Sequence, residues 1–104
     1  MNAQGRGAIA ATLVGPDYFP SAAFLPIDTL TTASAIQIAG AGTAPEDGFT
    51  GYRSAPFPGI ARWGDYSAAV VSTDGSIWMT AQYIPNLPRT PLANWGTFVM
   101  RYVP

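Results

Sequence analysis

Apolar residues in this chain recur in short runs broken by glycine and proline. No window of twelve residues escapes those two residue types while keeping an apolar period near 3.6, so the pattern predicts strands and no long amphipathic helix. The runs at 8–14, 22–25, 35–39, 68–72, 77–84 and 97–103 read as strands. Gly15-Pro16-Asp17 closes the first of them. Thr73-Asp74-Gly75-Ser76 lies between the fourth and fifth, and Asp-Gly between strand-like runs predicts a hairpin turn, because glycine adopts positive φ without steric cost. The stretches 40–47 and 85–94, rich in proline, glycine, alanine and asparagine, read as irregular loops.

The same pattern repeats once, at an offset of 46 residues. Ser21-Ala22-Ala23 and the residues through Asp28 match Ser67-Ala68-Ala69 and the residues through Asp74, and Gly48-Phe49-Thr50-Gly51-Tyr52 falls opposite Asn94-Trp95-Gly96-Thr97-Phe98. An Asp-Tyr pair precedes each copy, Asp17-Tyr18 and Asp65-Tyr66, the first separated from its copy by the inserted Phe19-Pro20. A period of this length, made of short strands and turns, is that of a four-stranded propeller blade. The expected architecture is therefore all-β: one β domain over 1–104 with an internal repeat at about 12–57 and 58–104, making about two propeller-type blades of antiparallel strands.

Composition narrows the chemistry. Charged residues make up 11% of the chain, well under the roughly 25% of an average soluble protein. The five basic residues are all arginine, histidine and cysteine are absent, and the net charge is −1. No basic patch is expected to attract nucleic acid or an anionic membrane. Without cysteine there is no disulfide and no thiolate nucleophile, and without histidine the usual zinc sites are excluded as well. No metal and no cofactor is expected. No apolar run approaches the roughly 20 residues that span a bilayer. The first seven residues also lack the form of a signal peptide, so either a leader has been removed or export does not use one.

Three groups of residues invite a functional reading. Asp74 opens a tight turn, where an aspartate caps backbone N–H groups. Trp78 and Trp95 lie in or beside apolar strands, where packing between blades is the expected role and burial of Trp78 follows. Arg62, Trp63, Asp65 and Tyr66 form the candidate ligand site. They put a guanidinium, an indole, a carboxylate and a phenol within five consecutive residues, which suits a polar ligand such as a glycan.

Arg62-Trp63-Gly64-Asp65-Tyr66-Ser67, Asp74-Gly75-Ser76-Ile77-Trp78 and Asn94-Trp95-Gly96-Thr97 together resemble the closing blades of bacterial sialidase-like, BNR-repeat-like β-propellers. Residues 15–23 are similar to the penultimate blade of the same group. The resemblance implies a propeller fold and an extracellular setting. The turn departs from the group's Ser-x-Asp-x-Gly-x-Thr-Trp box, since no residue separates Asp74 from Gly75, and so it implies fold rather than activity. A glycosidase needs two spaced carboxylates, or a tyrosine nucleophile with a glutamate base. Here the single glutamate, Glu46, adjoins Asp47 in a loop.

Two blades leave apolar sheet faces that only neighbours can bury. The expected function is a non-enzymatic propeller-type binding or assembly module, a homo-oligomer with a glycan as its ligand. Two alternatives remain open: an inactive C-terminal fragment of a sialidase-like hydrolase, and a purely structural subunit of a larger assembly.

Overall fold

The computed structural model describes residues 1–29, 34–46, 64, 66–85 and 94–104. Among them are six strands and no helix: β1 (Arg6–Gly15), β2 (Tyr18–Asp28), β3 (Gln37–Gly40), β4 (Ala68–Val71), β5 (Ile77–Tyr83) and β6 (Gly96–Tyr102). They form two antiparallel sheets of three strands, ordered β1-β2-β3 and β4-β5-β6. Every run expected to be a strand overlaps one. The largest difference is β2, which continues through Pro20 and Pro26 to span eleven residues. β3 pairs only with Ala22, Ala23 and Phe24, so both prolines fall outside that ladder, where a missing N–H removes no bond to β3.

Two short turns set the registers. Pro16-Asp17 joins β1 to β2, with Gly15 opposite Tyr18, and proline's fixed φ suits the first corner of such a turn. The β4–β5 turn forms at Asp74-Gly75 as its sequence predicts. Gly75 has φ +82°, its N–H donates to the Ser72 carbonyl at 3.0 Å, and the Ser72 N–H donates to the Ser76 carbonyl at 2.8 Å. The 46-residue offset equates β2 with β4. β2 is flanked on both sides, whereas β4 ends its sheet among the described residues. The Gly48–Tyr52 part of the repeat lies outside the described residues.

The two sheets pack face to face, and the core between them pairs small side chains with large ones. The alternation of β5 turns Ile77, Met79 and Ala81 inward, joined by Met100 of β6, all buried. Facing them, the first sheet contributes Ala22, fully buried, with Ala8, Ala10 and Ala39 around it. Phe24 fills the remaining space against Tyr102, ring centroids 5.4 Å apart, while Tyr83 and Phe98 meet edge to face at 5.5 Å.

Hydrogen bonds tie the sheets along this seam. The Thr12 hydroxyl donates to the Gln82 carbonyl at 2.9 Å. Just past β5, the backbone of the fully buried Ile84 donates to the Pro20 carbonyl and accepts from the Thr43 N–H, both at 2.9 Å. Gly42 completes the joint: its N–H donates to the Ser21 hydroxyl at 2.9 Å, and a Cβ there would collide with the Pro20 carbonyl.

Met79→Ala is expected to cost about 2–5 kcal/mol in chemical denaturation, as a large-to-small change in a buried core. Val70→Ala, on the exposed face of β4, should stay within about 0.5 kcal/mol. Equal effects of the two would contradict the packing described above. Gly42→Ala should lower the melting temperature, because the added methyl forces backbone apart at the joint; an unchanged melting curve would show that the joint relaxes freely.

Candidate functional site

Of the four residues in the sequence-predicted ligand site, Arg62, Trp63 and Asp65 lie outside the described residues. Tyr66 is described and stands at the approach to β4 with 87% of its surface exposed. Asp47 also lies outside the described residues, while Glu46 is half-buried in the chain after β3.

A cavity among the described residues lies elsewhere. It is a cleft of about 510 Å³ at the end of the sandwich where the N-terminal turn meets the β4–β5 turn. Asn2 builds one wall. Its Oδ1 accepts from the backbone N–H groups of Gln4 and Arg6 at 3.1 and 3.0 Å, and its Nδ2 donates across to the Gly75 carbonyl at 3.1 Å. One amide thus closes the turn that leads into β1 and clamps it to the other sheet. Arg6 follows, directly opposite Asp28 in the β1–β2 register, and both line the cleft.

Asp74 lines the facing wall. Its Oδ1 accepts from the Ser76 hydroxyl at 2.6 Å and from the Ser76 N–H at 3.0 Å, the cap expected from the turn sequence. Its Oδ2 pairs with Arg101 Nη2 at 2.7 Å. The Ser76 hydroxyl lowers its pKa most, then the Ser76 N–H, then Arg101, and together they hold it at about 2 against an ordinary 3.8. About half of each partner in the ion pair is exposed, so the pair orients the groups more than it stabilises them.

Trp78 does not take the buried position expected of it. It is 44% exposed, because it falls between the inward-facing Ile77 and Met79 and therefore points to the outer face. There the Arg101 guanidinium lies 5.8 Å from its ring centroid, directly across the β5–β6 ladder. Trp95 is likewise 37% exposed. The cleft residues Asn2, Arg6 and Asp28 carried no signal in the sequence, since Asn2 and Gly75 are 73 positions apart. The alternation of Ile77, Met79 and Ala81 was the available signal for Trp78.

Comparison with protein-family models, with curated proteins and with solved structures found no match.

The depressed Asp74 pKa has a signed consequence. Because the folded value lies below the unfolded one, its stabilising effect is complete above about 3.8 and fades as pH falls through about 2. Thermal melts of the wild type and Asp74→Asn are therefore expected to differ most at neutral pH and to converge across that acidic window. A difference that stays constant with pH would mean that Asp74 does not act through its charge.

Proposed function

We propose that this chain is a non-enzymatic, self-associating β module whose two sheets act as propeller-type blades, completed by further copies of the same chain. The observation that carries this reading is the character of the outer sheet faces. On the β4-β5-β6 sheet, Val70, Trp78 and Val99 are 64%, 44% and 60% exposed, with Val70 and Trp78 directly paired. On the other sheet, Ile9 and Ile38 are 50% and 42% exposed, with the half-buried Leu25 directly opposite Ile9. Single exposed apolar residues are ordinary, but adjoining ones on both outer faces suit burial against a neighbour.

The strand order supports the blade reading, since two successive meanders packed face to face are the arrangement of consecutive blades. Repetition of a two-blade chain by rotation closes into a ring, three copies giving six blades. Asp74, held low by Ser76 and Arg101, does not offer the raised pKa of a general acid for glycoside hydrolysis. Ligand contact in this reading falls to Arg62, Trp63, Asp65 and Tyr66, with a glycan as the ligand and the nearly free phenol of Tyr66 available to it.

Sedimentation velocity over a concentration series is expected to show a discrete oligomer that grows with concentration. Val70→Lys and Val99→Lys should shift it to monomer, and their melts should match the wild type's at concentrations where the wild type is itself dissociated, because both sites are exposed in the single chain. A wild-type protein that stays monomeric at every concentration would sink the reading.

A further inference from the structure

We propose that the cleft at the end of the sandwich seats a neutral polyhydroxylated molecule, a sugar ring or the end of a glycan. The cleft is built by the contact between the two sheets and is separate from the outer faces that would carry self-association. Its chemistry is mixed in a particular way. Asp74 pairs with Arg101 at 2.7 Å, and Arg6 stands directly opposite Asp28 in the strand register, so the walls carry charges of both signs. An ion of either sign therefore meets a like charge as well as an opposite one.

A hydroxyl is suited to such a surface, because each donates one hydrogen bond and accepts others. The donors are in place. The Arg6 guanidinium and the Gln4 carboxamide line the cleft and have no hydrogen-bond or ion-pair partner among the described residues, and Asn2 Nδ2 keeps one hydrogen beyond the one given to Gly75. The Gln4 carboxamide oxygen supplies an acceptor, and Asp74 Oδ2, bonded only to Arg101, supplies another. Val103 offers an apolar wall, and a smaller adjoining cavity of about 120 Å³ shares Arg6 and Asp28 and brings in Tyr102. A sugar ring presents C–H patches between its hydroxyls, which such a wall can cover. The volume of about 510 Å³ falls within the range of small-molecule sites. The frame is held before any ligand arrives, since Asn2 is hydrogen-bonded on both its amide atoms and Asp74 on both its oxygens.

The test is an amide-resolved NMR titration of the full chain with glucose, galactose and N-acetylglucosamine, each beside inorganic phosphate and glycine. At least one neutral sugar should produce saturable shifts at Asn2, Gln4, Arg6 and Gly75. Arg6→Ala and Gln4→Ala should each weaken that binding, by about tenfold for the guanidinium on the scale of a charged hydrogen bond, with melting unchanged. Repeating the titration in Val70→Lys separates this result from self-association, and in Trp63→Ala from the segment before β4. No response to any neutral sugar, a response to phosphate or glycine alone, or shifts abolished by Trp63→Ala and untouched by Arg6→Ala would each overturn the proposal.

Discussion

The structure depends on how closely one sheet can approach the other. A chain of this length has a modest core, and this one has no disulfide to supplement it. Closure is achieved by an alanine-bearing face laid against a face of Ile77, Met79 and Met100. Ala22, with no exposed surface, sits at the centre of that contact. A larger residue there would wedge the sheets apart, and overpacking of that kind costs roughly 1–3 kcal/mol. The consequences would spread beyond the core. The Thr12–Gln82 and Pro20–Ile84–Thr43 hydrogen bonds form only while the sheets are at this separation, and the cleft walls face each other for the same reason.

Among the described residues, Asn2, Arg6, Asp28 and Asp74 gather at one end of the sandwich, while Ile9, Val70, Trp78 and Val99 stand exposed on the outer faces. In the functions proposed above, this arrangement would separate two kinds of recognition. Apolar faces bury area without direction, and a polar cleft with groups already oriented selects by hydrogen-bond geometry. Arg101 touches both regions, holding Asp74 on one side and lying over Trp78 on the other. A neighbour covering Trp78 would therefore also cover part of the guanidinium that sets the Asp74 carboxylate.

Most of the strands were legible because their causes are local. Period-two patterning and breaker residues act over a few positions, so runs such as 77–84 and 97–103 anticipate β5 and β6 to within a residue at either end. The Asp74-Gly75 turn was legible for the same reason, being made by residues 72–76 themselves. The ends of β2 were not, because prolines that argue against a strand locally are tolerated where β3 offers no ladder. Trp78 was misread by size alone. A large aromatic favours burial, but parity along β5 had already assigned the inner face to Ile77 and Met79.

What the amino-acid sequence determined by itself was the all-β class, the position of each described strand and the chemistry of its tightest turn. Which face of each strand became the core, and which residues meet at the cleft, was decided only by the packing of one sheet on the other. The physical reason is distance along the chain. A strand or a turn is satisfied by neighbours a few residues away, whereas Asn2 meets Gly75, and Thr12 meets Gln82, only after about seventy intervening residues have folded back and the small face has closed on the large one.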